Sequence, residues 1–317
     1  MNEVALQLKK FWQGVCEFWQ GLPRKWIFFS LLLCTIAFFH FYGNSTYGYL
    51  IGRVKYMRSL FAWLYNAYTA ELADDSHGLI MPFVILGLFY WKRERLLKSV
   101  GGPWLGGLVI FAVGLVLHII GFMIQQTRLS AVGFFICVYG LMGAVWGRGW
   151  LSESFFPYFL FVFCIPLGSM GDAISFRLRL IVTKAVVLLS HYVFGVDVIA
   201  EGTRLLSPDR LFEYEVAAPC SGIRSLIAII AVSIIYGWVS FRRVTSRLAL
   251  LAVAPPLAVI GNICRMMLII LAAEVGGQEA GLKVHESTIL SLIPYVPGFL
   301  GLGLIGMWIK KTWEGEK

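Results

Sequence analysis

Charged residues are scarce in this sequence. Only 14% of the 317 residues are Asp, Glu, Lys or Arg, whereas 58% are hydrophobic and the mean hydropathy is +0.75. Soluble globular chains are about half apolar and about a quarter charged, so this composition excludes that class. The chain is therefore predicted to be a membrane protein that crosses the bilayer several times.

Acidic residues are scarcer than basic residues. The 18 Asp and Glu stand against 27 Lys and Arg, which gives a formal net charge of +9 at pH 7. Such an excess can indicate nucleic-acid binding, but here the basic residues cluster at the ends of apolar segments, as in cytoplasmic loops of membrane proteins. The charge therefore predicts orientation in the membrane, and no nucleic-acid partner is expected.

Paired metal-binding motifs are missing as well. The six cysteines, at positions 16, 34, 137, 164, 220 and 264, show no CxxC spacing, so neither a zinc site nor a disulfide framework is predicted. His285-Glu286 is not followed by a second histidine at i+4, which excludes the HExxH metalloprotease motif. No cofactor or metal is expected.

Long apolar runs predict an all-α polytopic fold with about eight transmembrane helices. The expected spans are 26–41, 78–91, 104–122, 131–146, 155–167, 223–241, 248–273 and 289–309. Residues 1–25 then form a cytoplasmic N-terminal segment, residues 26–309 a single transmembrane catalytic domain, and residues 310–317 a cytoplasmic tail. Five basic clusters fall on one side of the membrane if both termini are cytoplasmic.

Residues 176–194 decide on which side the later segments lie. They are apolar enough for a ninth crossing, but they carry Arg177, Arg179, Lys184 and His191, which favours a helix in the interface or a re-entrant one. A ninth crossing would place residue 220 on the cytoplasmic side. The prediction is the interfacial helix, and the crossing stays open as the alternative.

The loop before residue 220 shows a strand pattern. Apolar and polar residues partly alternate over 196–206 and again over 212–216, on either side of the turn signal Ser207-Pro208-Asp209. This pattern predicts a short β-hairpin in the outer loop, leading to the segment that contains Cys220.

Cys220 is the strongest candidate nucleophile. Pro219 ends the extended segment, and Ser221 with Gly222 offers a helix start, so the thiol is expected at the outer N-terminus of the sixth span. A helix N-terminus favours a thiolate, and Arg224 at i+4 would support it by its charge.

Four polar residues are the candidate partners and supporting residues of this thiol. Arg265 interrupts an apolar run, where a guanidinium needs a partner or a wet cavity, and Asn262 at i−3 could orient it. His285 is expected in the polar loop before the last span, and His77 is a second candidate on the same side. We expect Arg265 roughly 12 Å of helix below the outer end of its span at Ala273.

Together these residues resemble the exosortase/archaeosortase family of membrane transpeptidases. The resemblance is carried by Ala218-Pro219-Cys220-Ser221-Gly222-Ile223-Arg224-Ser225, by Asn262-Ile263-Cys264-Arg265 and by His285. Lesser features agree, namely Asp75-Ser76-His77-Gly78-Leu79, Phe163-Cys164-Ile165-Pro166-Leu167 and Glu201-Gly202-Thr203. The resemblance extends over about residues 70–305.

The resemblance implies a function that spacing and composition do not. It implies Cys220 as nucleophile with Arg265 and His285 as catalytic partners, and exported protein substrates with a C-terminal signal made of a short Pro-Glu-Pro-like motif, a transmembrane helix and a basic tail. It further implies transfer to an amine acceptor, a link to exopolysaccharide, and a bacterial inner membrane with the site on the periplasmic side. Membrane lipid is the other expected partner.

Two alternatives use the same residues differently. A transporter or flippase component could use Arg265 to contact an anionic lipid or glycan intermediate, without any need for Cys220 or His285. Transporters often carry internal repeats, which this sequence does not show. A non-catalytic assembly scaffold with a relic site is the third possibility.

Overall fold

A computed structural model describes residues 3–43, 59–69, 75–167, 169–210, 212–215, 223–286 and 295–315. The chain forms two compact units, the first containing the described residues up to Pro166 and the second those from Leu167 onward. Both units are built mainly of α-helices, and each is described by itself.

The first unit contains eight α-helices within its described residues. They are α1 Glu3–Gly21, α2 Lys25–Phe41, α3 Leu60–Thr69, α4 Met81–Trp91, α5 Arg93–Lys98, α6 Leu105–Met123, α7 Thr127–Trp146 and α8 Arg148–Phe159. Two 3-10 helices, Ser76–Leu79 and Leu160–Cys164, precede α4 and follow α8.

Close packing of α6 against α7 forms the centre of the first unit. A Cβ added at Gly107 would lie 2.1 Å from the backbone nitrogen of Ala144, and one added at Gly114 would lie 2.6 Å from the carbonyl oxygen of Gly133. Small residues let helix backbones approach this closely in a membrane, where the surrounding lipid gives no hydrophobic drive for helices to associate. The glycines therefore fix how α6 and α7 pair.

The predicted span at 155–167 is wrong in its bounds. Helix α8 ends at Phe159 and continues as the 3-10 helix 160–164. Pro157 has no backbone N–H, so the carbonyl oxygen of Glu153 loses its usual helical partner. Lys92 donates to that oxygen instead and pairs with the Glu153 carboxylate at 3.1 Å. Lys92 therefore satisfies the carbonyl oxygen that Pro157 leaves without a helical partner.

The second unit holds a small sheet among four helices in its described residues. The helices are α9 Ser169–Phe194, α10 Ile223–Ser240, α11 Val244–Glu286 and α12 Tyr295–Trp313. The strands are β1 Ile199–Glu201, β2 Arg204–Leu206 and β3 Glu213–Glu215, in the order β1-β2-β3 and antiparallel. The expected hairpin is confirmed, with a third strand added to it.

One end of the second unit gathers the termini of three helices. The Glu314 carboxylate, just after α12, accepts the backbone N–H groups of Arg242 and Arg243 at 3.2 and 3.1 Å, in the turn between α10 and α11. Helices α10 and α12 therefore end where α11 begins. Helices α10 and α12 begin at the opposite end.

Three described helices are long and apolar enough to cross a membrane: α6, α7, and α11 as far as Val284. Helices α1 and α2 meet the same criterion as a pair, although they are bent by 92°, and α4 and residues 226–240 are shorter apolar helices. The helical membrane fold is thus confirmed, whereas the count of eight spans is not. Helix α9, over residues 169–194, does not meet the criterion, and its interfacial placement stays a prediction.

Gly140→Ala tests the contact between α6 and α7. The new Cβ would lie 2.4 Å from the backbone nitrogen of Phe111 and 2.7 Å from the carbonyl oxygen of Gly107. Neither backbone atom can move aside cheaply, so we expect a loss of about 1–3 kcal/mol in the free energy of unfolding. The measurement is the thermal unfolding midpoint of the purified protein in detergent.

Gly87→Ala in α4 is the matched control, because nothing lies within 4 Å of the Cβ that it adds. Alanine is the better helix former, so this variant should unfold at the wild-type temperature or slightly above it. Equal midpoints for the two variants would contradict close packing of α6 on α7.

Candidate functional site

Arg265 lies on α11 in the second unit, one helical turn after Asn262. Asn262 is buried, and Arg265 is half-buried with an Nε that has no hydrogen-bond partner among the described residues. A buried guanidinium N–H without a partner costs free energy, about 1–3 kcal/mol or more for a charged group. The Nε atoms of Arg24 and Arg179 are also without partners in the part of the chain that the structure describes, but Arg265 interrupts an apolar run, where an ionisable residue is a candidate for a functional site.

The pairing of α10 with α11 shows what lies level with Arg265. The two helices run antiparallel: Gly237 approaches Arg247, with 3.6 Å from its added Cβ to the Cα of Arg247, and Ile229 packs with Ala254 and Ala258. Following this register to the beginning of α10 places Ile223 level with Gly261. Arg265 is one turn beyond, at the end of the unit where α10 starts.

Helix α11 is interrupted at Gly277. This residue has φ 73° and ψ −177°, a conformation that glycine adopts without the steric cost other residues meet. The chain then turns back, because a Cβ at Gly281 would lie 3.0 Å from the carbonyl oxygen of Ile269. In a straight helix these two residues would be about 18 Å apart.

The returning segment, residues 278–286, carries His285. We expected this histidine in a loop, but the backbone is helical through Glu286, so that expectation is wrong. The Gly276-Gly277 pair breaks the helix, and the alanine, leucine and lysine that follow it allow helix to resume. Val284, next to His285, packs on the core cluster that includes Met266 and Ile269.

Tyr214 on β3 holds the returning segment. Its hydroxyl donates a hydrogen bond of 2.7 Å to the carbonyl oxygen of Gln278 and lies against Gly281. Burial raises the pKa of Tyr214, so the hydroxyl keeps its proton and remains a donor. Strand β3 therefore contacts the segment that carries His285, and its last residue, Glu215, precedes Cys220 by five positions.

The other predicted site residues are placed as follows. Cys220 and Ser221 lie outside the described residues, Arg224 is in the first turn of α10, and His77 is in the 3-10 helix 76–79 of the first unit. Gly78, beside His77, lies directly against the Tyr68 ring. Among the residues that the structure describes, no cluster of three or more His, Cys, Asp or Glu could hold a metal.

Sequence reasoning missed Tyr214 and Gly281. Tyr214 stands between the two glutamates of β3. This alternation indicated a strand but did not indicate which group the Tyr214 hydroxyl would contact. Gly281 stands alone among helix-forming residues, and an isolated glycine in such a stretch often marks a close backbone approach. That glycine was the available signal for the returning segment.

Comparisons with known proteins give one match. Residues 69–297 match the family model described as transmembrane exosortase (Exosortase_EpsH). The match covers α9, the three strands, α10 and α11 of the second unit, and the described residues from 69 to 166 of the first unit, which include His77. The comparisons with curated proteins and with solved structures give no match.

Gly281→Ala tests the contact that returns residues 278–286 to α11. The added methyl group would lie 2.2 Å from the Tyr214 hydroxyl and 3.0 Å from the Ile269 carbonyl oxygen, so the segment must shift. We expect its amides to exchange with deuterium about tenfold faster, corresponding to about 1.4 kcal/mol of lost local stability. Hydrogen-exchange mass spectrometry of the peptide covering 278–286 measures this.

Gly303→Ala in α12 is the control, since nothing lies within 4 Å of its added Cβ. It should leave exchange in residues 278–286 unchanged. Wild-type exchange in Gly281→Ala would mean that the segment does not pack on Tyr214 and Ile269.

Proposed function

The chain belongs to the transmembrane exosortase family, and on that premise we propose that it is a membrane-embedded cysteine transpeptidase whose catalytic residues are Cys220, Arg265 and His285. Membership implies a membrane protease or transpeptidase that acts on exported proteins. The residues, the chemistry and the sidedness are the parts that we propose.

The observation that supports the proposal is that the beginning of α10 lies level with Gly261 on α11, one turn before Arg265. Ile223 is level with Gly261, and Cys220 is three residues before Ile223, within about 10 Å even if the chain is fully extended. Arg265 is about 6 Å further along α11 than Gly261. The nucleophile and the arginine are thus expected at the same end of α10 and α11.

The returning segment brings the third position to this end. His285 is four residues, or about 6 Å of helix, beyond Gly281, which contacts Ile269. Ile269 is in turn about 6 Å from Arg265 along α11. If the segment continues to run antiparallel to α11, His285 is level with Arg265, which agrees with the packing of Val284 on the cluster that includes Met266 and Ile269.

In the proposed mechanism, His285 accepts the Cys220 thiol proton, and the thiolate attacks the scissile carbonyl carbon. Arg265 stabilises the oxyanion of the tetrahedral intermediate, which gives its unpaired Nε–H a partner. When the intermediate collapses, the peptide C–N bond breaks and the imidazolium protonates the leaving amine. A thioester to Cys220 remains.

The thioester is resolved by a second nucleophile. An amine acceptor, deprotonated by His285, attacks the thioester carbonyl, and the Cys220 thiolate leaves and recovers its proton; water in the same role gives proteolysis. Four further residues are proposed to support the reaction. Arg224, at the start of α10, favours the thiolate by its charge, and Ser221 begins the helix there. Asn262 orients Arg265, and His77 has a supporting role.

The proposed substrate is an exported protein with a C-terminal signal of a short Pro-Glu-Pro-like motif, a transmembrane helix and a basic tail. The proposed location is the inner membrane, with about eight crossings, α9 in the interface and the site on the periplasmic side. The gathering of Arg242, Arg243, Lys310 and Lys311 at the opposite end of the second unit supports this orientation, because such clusters face the cytoplasm. An impermeant thiol reagent that fails to modify Cys220 in intact spheroplasts would contradict it.

Three substitutions test the catalytic assignment in cells that express the protein with a tagged substrate. Cys220→Ala and Cys220→Ser should both abolish substrate processing while membrane levels stay normal. Arg265→Lys should lower the rate about 10²–10³-fold, because a point charge does not replace the planar fork of donors. Processing is measured by immunoblot over time.

Cys264→Ala is the matched control, because this cysteine is next to Arg265 and half-buried on the same helix. It should process substrate at the wild-type rate. Normal processing by Cys220→Ala would show that Cys220 is not the nucleophile. It would favour the transporter alternative, in which only Arg265 is required.

A further inference from the structure

Helix α1 in the first unit has one apolar face packed on protein and a second one that is uncovered. Its inner face packs on helices of the same unit: Gly14 lies against Tyr90, and the Phe18 ring stacks on Trp150 with 6.4 Å between centroids. Beside this face runs a stripe at helical spacing formed by Leu8, Trp12, Cys16 and Trp19. These side chains are exposed, Leu8 by 54%, Trp12 by 62% and Trp19 by 39%.

The direction of α1 is fixed relative to an apolar helix. Helix α2 begins four residues after α1 ends, and the two are bent by 92°. Contacts hold the corner: Lys25 Nζ donates to the Trp19 carbonyl oxygen at 2.7 Å, and the Trp19 and Trp26 rings meet edge to face at 5.7 Å. If α2 crosses the bilayer, α1 lies nearly in the plane of the membrane surface.

Basic side chains surround the same corner. Arg24 and Lys25 connect the two helices, and α5, which packs on α1 through Leu97 and Gly21, adds the exposed Arg95 and Lys98. On α1 itself Lys9 borders the apolar stripe, and a polar face between the stripe and the packed face carries the hydrogen bond from Gln13 to Glu17. Tryptophan beside lysine and arginine is typical of the lipid headgroup region.

We propose that α1 is an interfacial helix whose Leu8–Trp12–Cys16–Trp19 stripe is buried in the phospholipid leaflet that α2 enters, with anionic headgroups bound by the surrounding basic residues. An apolar stripe flanked by polar and basic side chains enters a leaflet to about 5–10 Å below the headgroups. Each basic residue near an anionic surface adds about 1 kcal/mol of attraction. A protein partner would not require α1 to lie at a right angle to α2, nor basic residues around the stripe. A lipid leaflet accounts for both features.

The experiment measures the depth of a nitroxide label in the full-length protein reconstituted into nanodiscs. Trp12→Cys carries the label in a background whose native cysteines are replaced, and Gln13→Cys, one residue away on the polar face, is the matched control. Power-saturation electron paramagnetic resonance compares collisions with oxygen, which is enriched in lipid, and with a water-soluble nickel chelate. The discs contain phosphatidylcholine alone or with a quarter of phosphatidylglycerol.

We expect the label at position 12 to collide mainly with oxygen, at a depth of about 5–10 Å, and the label at position 13 to collide mainly with nickel. Phosphatidylglycerol should lower the nickel accessibility at position 12 further. Labelling the native Cys16 alone repeats the test without any substitution on the stripe, in case Trp12→Cys folds poorly.

Three results would overturn the proposal. Equal nickel accessibility at positions 12 and 13 would mean that α1 is off the membrane. Exclusion of both oxygen and nickel at position 12 would mean that protein covers the stripe. Nickel accessibility at position 12 that is the same with and without phosphatidylglycerol would mean that the basic residues do not bind anionic headgroups.

Discussion

The break in α11 at Gly277 is the feature on which the candidate site depends. From Val244 to Gly276 the helix is about 50 Å long, well beyond the roughly 30 Å of a bilayer's hydrocarbon core. Were it to continue straight, His285 would be about 30 Å past Arg265, and no chemistry could join them. The positive φ of Gly277, the missing side chain of Gly281 and the Tyr214 hydrogen bond together return the segment to α11.

A buried polar group inside a membrane costs free energy, and different polar groups of this chain are satisfied in different ways. The backbone carbonyl oxygen of Glu153 has no helical donor because Pro157 lacks an N–H, and Lys92 donates to that oxygen instead. Glu314 accepts the free N–H groups of Arg242 and Arg243 at the basic end of the second unit. The Nε of Arg265 is different, because it is buried without such a partner in the described part of the chain. In the proposed mechanism, the oxyanion that develops on the substrate supplies the missing acceptor.

Composition and periodicity were sufficient to predict a helical membrane protein, the positions of α6 and α7, and the strands around Ser207-Pro208-Asp209. They were insufficient where a single tertiary contact sets the structure. In the helix at 148–159, Lys92 reaches the carbonyl oxygen that Pro157 leaves free, and the segment that carries His285 returns to α11 where Gly281 meets Ile269. The candidate residues came from their positions in the sequence and from a resemblance of motifs, while the proposal that they meet at one end rests on the registers of α10 and the returning segment on α11.

The most direct test of the account is whether residues 220 and 285 are adjacent. In full-length protein that retains Cys220, lacks the other native cysteines and carries His285→Cys, mild oxidation should give an intramolecular disulfide, since the two Cα atoms must be within about 7 Å for one to form. Mass spectrometry of the digested protein detects the linked peptides, and Lys283→Cys, at an exposed position about 200° around the same helical segment from His285, is the control that should not link. Absence of the 220–285 link under conditions that oxidise both thiols would contradict the proposed site.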